Sequence, residues 1–264
     1  MRATRRLPWL VLLPAGALLL LLALPVAALL ARAAVDGALL TALTNRAVLD
    51  ALLLSLATTS ITLVLAVVLG TPLAWLLARR QVPGRRVLEA MIELPIVLPP
   101  AVAGLALLLL LGRQGLLGGA LRVAGIEIAF STAAVVIAQL FVAAPLYVRS
   151  ARGAFSRIEA DLEDAARADG AGEWAVFRSI TAPIAAGSLG AGAVLAWARA
   201  LGEFGATIMF AGNIVGRTQT LPLVVYSEFQ SSLDASVAAA AILVIAAFGV
   251  LVAIRIGRGV GWGG

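Results

Sequence analysis

The stretch RSARGAFSRIEADLEDAARADGAGEWAVFRS, residues 149–179, separates two long apolar runs. After Arg149 it carries nine charged residues, Arg152, Arg157, Glu159, Asp161, Glu163, Asp164, Arg167, Asp169 and Glu173, before Arg178. Ile158, Leu162, Ala165 and Ala166 recur at i, i+4, i+7 and i+8, the spacing of one face of an amphipathic helix. Gly170 and Gly172 interrupt that helix. Trp174, Phe177 and Ile180 follow at three-residue intervals, which predicts a second short helix, and Pro183 marks the approach to the next apolar run. The segment reads as helix, glycine turn and helix over residues 157–180. Such a hairpin either lies along the membrane interface or docks on another protein.

Outward from the hairpin, six uncharged runs reach the roughly 18–20 residues that a helix needs to cross a bilayer. They are Leu7–Ala31, Ala51–Ala78, Leu94–Gly112, Ile128–Val148, Ser179–Ala198 and Ala235–Ile254; the fifth span is placed at residues 184–206. Hydrocarbon offers the backbone no hydrogen-bond partner, so such runs fold as helices. Their unbroken apolarity does not suit barrel strands, which alternate. The expectation is an all-α integral membrane protein with six transmembrane helices, one membrane domain over residues 1–264. Arg2, Arg5 and Arg6 precede the first run and Ala31-Arg32-Ala33 resembles a cleavage site, but 25 apolar residues exceed the core of a signal peptide, so the helix is expected to be retained. Pro95, Pro99 and Pro100, together with Pro72 and Pro145 in other spans, remove backbone donors and favour an irregular, packed-in third helix. In the fifth span, two rows of mostly small residues let neighbouring helices approach closely. One is Ser188, Gly192, Ala196 and Ala200; the other is Ala186, Gly190, Val194, Ala198 and Gly202.

All 20 basic residues are Arg, and their positions set the orientation. Fourteen lie before the first span, in Arg79–Arg86, in Arg149–Arg178 and after the last span; five lie in the alternate connections, and Arg199 is within a span. The positive-inside rule then puts both termini and the hairpin in the cytoplasm. The net charge of +6 is explained by topology, without a nucleic-acid partner.

The chain is 62% hydrophobic and 13% charged, with a mean hydropathy of +1.04. Soluble domains are nearer half apolar and a quarter charged, and disordered chains have the opposite bias. The absence of Cys and His removes disulfides, the usual zinc, haem and iron–sulfur ligands, and Ser–His or Cys–His nucleophilic pairs. The absence of Lys removes the P-loop lysine. The chain is therefore expected to be no enzyme and to hold no metal or cofactor. ATP-driven work would fall to another chain.

The hairpin carries a sharper signal. Asp164-Ala165-Ala166, three residues, Gly170, nine residues and Ile180-Thr181-Ala182-Pro183 resembles the EAA loop of ABC-importer permeases. That pattern is Glu-Ala-Ala, three residues, Gly, nine residues and Ile-x-Leu-Pro; Asp164 stands for the Glu and Ala182 for the Leu. The resemblance implies that the hairpin is a coupling helix formed by Asp164, Ala165, Ala166, Gly170, Trp174, Phe177, Ile180 and Pro183. Ala165 and Ala166 would let a helix enter a shallow cleft, Gly170 would allow a sharp turn, and Trp174 and Phe177 would anchor it.

Residues 93–104, ELPIVLPPAVAG, are similar to the third-helix signature of molybdate permeases, and the Leu-rich run ending Leu111-Gly112-Arg113 continues it. Residues 200–207, ALGEFGAT, with Ala211-Gly212-Asn213-Ile214 and Thr218-Gln219-Thr220-Leu221-Pro222, are similar to molybdate, tungstate and sulfate permeases. The likeness covers roughly Val48–Arg255. It implies a type I ABC-importer fold in a bacterial or archaeal cytoplasmic membrane. Two copies of the chain would form the pore, two ATPase subunits would bind ATP and Mg, and an external binding protein would deliver the oxyanion. Molybdate is favoured, with tungstate next and sulfate as the alternative; all three are tetrahedral dianions.

Arg199 and Glu203 are the remaining candidates for chemistry. If the fifth helix begins near Ala186, they lie about 20 and 25 Å along it at about 1.5 Å per residue, in the outer half. Ionisable groups there point to a pathway or a partner. They form either an intrahelical pair, in the weaker Arg-before-Glu order, or a contact with a neighbouring helix, or a path in which Arg199 favours anions and Glu203 helps close the outer end. An ion-coupled secondary transporter would show internal repeats or charged relays, which the six spans lack.

Overall fold

The computed structural model describes residues 9–35, 37, 42–80 and 82–260. Its helices are α1 Trp9–Val35, α2 Arg46–Arg79, α3 Arg85–Val97, α4 Pro100–Leu111, α5 Gly118–Val123, α6 Thr132–Phe155, α7 Ala160–Ala168, α8 Glu173–Val176, α9 Ala182–Leu201, α10 Gly205–Phe210, α11 Leu221–Phe229 and α12 Leu233–Val260. A π turn, Phe177–Thr181, joins α8 to α9. Pro183 follows it and has no N–H for an ordinary helical bond, so a widened turn suits this position. Arg2, Arg5, Arg6 and Leu7, at the start of the first apolar run, lie outside the described residues.

Among the described residues, α1, α2, α6, the continuous α8–α9 rod and α12 are each long and apolar enough to cross a membrane. The third apolar run differs from a simple span. It is split between α3 and α4, which bend by 116°. Leu98 and Pro99 have extended backbone, with ψ of 134° and 132°, because each precedes a proline and that position disfavours the helical region. Pro100 then opens α4, where its missing N–H costs nothing.

Helices α2, α6 and α9 make the centre. Ala74, Tyr147, Ala151, Ala196 and Ala200 are buried there. The row Ser188, Gly192, Ala196 and Ala200 faces α6. The Ser150 hydroxyl donates to the Ser188 carbonyl at 3.1 Å, and a Cβ on Gly192 would come within 2.6 Å of Ser150 Cβ. The row from Ala186 to Gly202 is more exposed.

Buried polar groups stitch α2 to α6. Thr62 donates to Gln139 Oε1 at 3.1 Å, Gln139 Nε2 donates to Thr58 Oγ1 at 3.3 Å, and the Thr71 and Tyr147 hydroxyls lie 2.6 Å apart. In lipid such bonds contribute about 0.6–2 kcal/mol each. Ser55 Oγ accepts from Leu221 N at 2.8 Å, so α2 caps the start of α11 across the chain.

The broken third run is held by α10. A Cβ on Gly104 would lie 2.6 Å from the Ala206 carbonyl oxygen, and one on Gly205 would lie 2.7 Å from Pro100 Cβ. The stretches 93–104 and 200–207 therefore meet through glycines.

Candidate functional site

The hairpin is built by α7, a glycine turn and α8. Asp161 and Glu163 sit in the first turn of α7 and Arg167 in its last, matching the helix dipole. At its end, Gly170 N donates to Arg167 O and Ala171 N to Ala166 O, each at 3.0 Å, with Gly170 at φ +89°. This pair of bonds is the Schellman closure, which favours glycine at the left-handed position. Arg167 clasps the two arms, 2.7 Å from Asp164 and 3.0 Å from Glu173. Its hydrogen bond to Glu173, and then that to Asp164, raise the guanidinium pKa above its ordinary value against the opposing cost of desolvation.

The burial pattern of α7 is inverted. Leu162 and Ala165 are exposed, as is Asp164, while Ala166 is partly covered. The buried residue of the helix is the acid Glu163. Its Oε1 receives Arg79 at 2.9 Å and the Thr181 hydroxyl at 2.7 Å. Ile158, just before α7, is buried in the central core. On the second arm Trp174 is 71% exposed and stacks on Phe177, their centroids 5.7 Å apart. Phe177 reaches inward, edge-on to Trp75 and Phe155. Ile180 is partly buried and Pro183 exposed. Asp164, Ala165, Gly170 and Trp174 thus share one exposed end of the molecule, while Phe177 and Ile180 root it.

Arg199 and Glu203 are brought together, but not within one helix. The α8–α9 rod begins at Glu173 rather than near Ala186 and ends at Leu201. Arg199 lies in its last turn, and Glu203 lies beyond the end, in the bend to α10. Gly202, at the C-cap, lets the chain turn there. The guanidinium and carboxylate approach to 2.6 Å; the Glu203 side chain is 1% exposed and that of Arg199 33%. Glu203 Oε1 also accepts from Ala206 N at 2.7 Å, which ties the pair to the short helix packed on Pro100. Oε2 faces the guanidinium without an aligned hydrogen bond, and the buried Thr207 hydroxyl has no hydrogen-bond partner among the described residues.

Arg79, Glu163 and Thr181 are not among the candidates that the sequence singles out. Glu163 stands beside Asp164 and Thr181 lies inside the quoted Ile180–Pro183 stretch, so the available signal was adjacency; Arg79 was visible only as one of a basic run.

Residues 70–257 match the family described as binding-protein-dependent transport system inner membrane component. The chain belongs to that family. The match contains the hairpin, the broken α3–α4 pair and the Arg199–Glu203 bend. The molybdenum transport system permease protein ModB of Mycobacterium tuberculosis is 46% identical over 242 residues, covering 91% of each chain. A probable molybdenum ABC transporter permease protein of Haloferax volcanii is 40% identical over 257 residues, covering 96% of this chain and 92% of its own length. Among solved structures, a chain of a bacterial ABC transporter involved in import of the polysaccharide alginate superposes with a TM-score of 0.74 at 16% identity, covering 96% of this chain and 93% of the other. That likeness is one of fold. The protein is a multi-pass membrane permease component with the helical architecture of ABC importers.

Proposed function

We propose that the chain is the pore-forming subunit of an ATP-driven oxyanion importer whose cargo is molybdate, with tungstate and then sulfate as alternatives. The observation that carries this reading is the 46% identity with ModB of M. tuberculosis over nearly the whole of both chains. In this reading two copies of the chain frame the path in a bacterial or archaeal cytoplasmic membrane. A pair of ATPase subunits holds ATP and Mg, and an external binding protein delivers the ion. No catalytic group is needed in the permease.

The hairpin's burial pattern supports the docking role. An isolated surface helix turns apolar residues inward, whereas α7 turns Glu163 inward and leaves Leu162 and Ala165 outside. A small apolar face beside the exposed Trp174 suits entry into a cleft on the cytoplasmic ATPase. Rigid-body motion of that partner would then pass into the membrane helices.

Uptake of labelled molybdate into vesicles holding the full assembly, with tungstate and sulfate as competitors, tests the cargo. Molybdate uptake that needs ATP and resists a tenfold excess of sulfate, a discrimination worth about 1.4 kcal/mol, supports the reading; uptake blocked by sulfate as readily as by molybdate replaces the cargo.

Arg199 is the path's candidate anion contact. Its guanidinium is partly exposed and suited to tetrahedral oxyanions, while Glu203 balances it at rest. Replacing Arg199 alone strands a buried carboxylate, so Arg199→Gln is paired with the double variant Arg199→Gln/Glu203→Gln. The double variant is expected to assemble normally and to lose about tenfold in molybdate uptake, the equivalent of roughly 1.4 kcal/mol. Unchanged rate and anion preference in that variant would remove Arg199 from the path.

A further inference from the structure

The hairpin is fastened to the membrane helices by a buried polar cluster that docking alone does not require. Glu163 is 3% exposed in its side chain, although its neighbour Asp164 is 67% exposed. A buried carboxylate is a poor choice if stability is the sole aim, because apolar residues of similar volume usually serve as well or better. Besides Arg167 of its own helix, 3.5 Å away, its two closer partners belong to different bodies. Arg79 is the last residue of α2, a helix of 34 residues, and Thr181 is the last residue of the π turn that opens into α9. Arg79 also donates to the Ile158 carbonyl at 3.1 Å, so the entry to the hairpin and its first helix are held by one guanidinium. Beside this contact lies a cavity of about 380 Å³, between Trp75 on α2 and Arg80 just past its end on one side and Asp164 and Arg167 on α7 on the other. The hairpin is thus pinned at Glu163 and has open space next to the pin.

Resting on the coupling role proposed above, we infer that Glu163 is a positioning residue, the pivot through which displacement of the hairpin is handed to α2 by Arg79 and to α9 by Thr181. Short hydrogen bonds hold direction as well as distance, so the pivot transmits pull and push alike, whereas an apolar face can slide. Arg79 Nε is buried without an acceptor among the described residues, and the guanidinium is gripped through its two terminal nitrogens, one toward each end of the Ile158–Glu163 segment.

The test uses the whole assembly in proteoliposomes and reads co-purification of the ATPase, ATP hydrolysis and oxyanion uptake side by side. Glu163→Gln keeps the side chain's size and removes its charge. The ATPase is expected to co-purify and to hydrolyse ATP, while uptake per ATP falls at least about tenfold, within the range of coupling between distant sites. Thr181→Val is nearly isosteric and removes one bond to Glu163; it is expected to lose about threefold in the same ratio, and Thr181→Ser to restore it. Should Glu163→Gln fail to fold, the Thr181 pair decides. An unchanged ratio in Thr181→Val overturns the pivot, and so does a parallel loss of assembly, hydrolysis and uptake, which marks a purely structural contact. A wild-type chain that does not co-purify with an ATPase sinks the coupling reading itself, and the pivot with it. A wild type that couples but carries sulfate corrects only the cargo, and the ratio is then read with sulfate.

Discussion

Gly104→Val is expected to lower the thermal stability of the purified permease by about 5–10 °C, the equivalent of roughly 2–3 kcal/mol in a chain of this size. The cause is local and steric. A Cβ at this position would lie 2.6 Å from the Ala206 carbonyl oxygen, 2.7 Å from Met209 Cβ and 2.8 Å from Ala206 Cα. Two of those atoms are backbone of α10, and α10 cannot retreat freely, because its first turn is held by the Glu203 carboxylate at Ala206 N and Gly205 sits against Pro100. The larger side chain must push α4 away from α10 and open the joint that closes the break in the third span. Gly119→Val is the matched control, since a Cβ there meets nothing among the described residues within 4 Å; its melting temperature should stay within about 2 °C of the parent, as expected of an exposed substitution. If the two variants melt together, close packing of α4 on α10 does not stabilise the fold.

The same joint shows how far the sequence reaches. The membrane helices are legible because crossing a bilayer demands apolar length, which any window of the chain displays. Pro95, Pro99 and Pro100 announced an irregular third helix, but the 116° bend is held where Gly104 packs on Ala206 and Gly205 on Pro100, contacts between distant parts of the chain. The hairpin was legible from helical spacing and two glycines. Which of its faces turns inward was not, because Glu163 is drawn in by Arg79, 84 positions earlier in the chain, and by Thr181 beyond the turn. Leu162 belonged to an apolar stripe in the sequence, yet it is exposed. For Arg199 and Glu203 the spacing suggested a pair within a helix. Ending the helix at Leu201 converts the same spacing into a contact across a bend, and Gly202 was the local sign of that end.

Gly170→Val is expected to leave insertion and ATPase binding intact while cutting uptake per ATP by more than about tenfold, the scale of a coupling free energy near 1.4 kcal/mol or above. Space is not the obstacle, for a Cβ at Gly170 would meet nothing among the described residues within 4 Å. The backbone is. At φ +89° a left-handed conformation costs an ordinary L-residue about 1–2 kcal/mol, and a β-branched one more. Valine escapes that strain by abandoning the closure in which Gly170 N and Ala171 N satisfy the carbonyls of Arg167 and Ala166. Once those bonds go, α8 leaves α7 at a new angle, and Trp174 is re-aimed relative to Ala165. The Arg167 bridge from Asp164 to Glu173 is stretched with it. Asn tolerates the left-handed region better than other side chains, so Gly170→Asn should keep a larger share of the coupling. Gly172 makes the discriminating comparison. It lies two residues on, is equally unhindered, and has an ordinary extended backbone with φ −69°. As the residue preceding α8 it accepts serine as a cap, and Gly172→Ser should couple like the parent. The backbone account predicts the order parent and Gly172→Ser first, then Gly170→Asn, then Gly170→Val. Equal losses at 170 and 172 would instead mean that any side chain in the turn obstructs docking. Full coupling by Gly170→Val would separate the turn from the transfer of motion altogether.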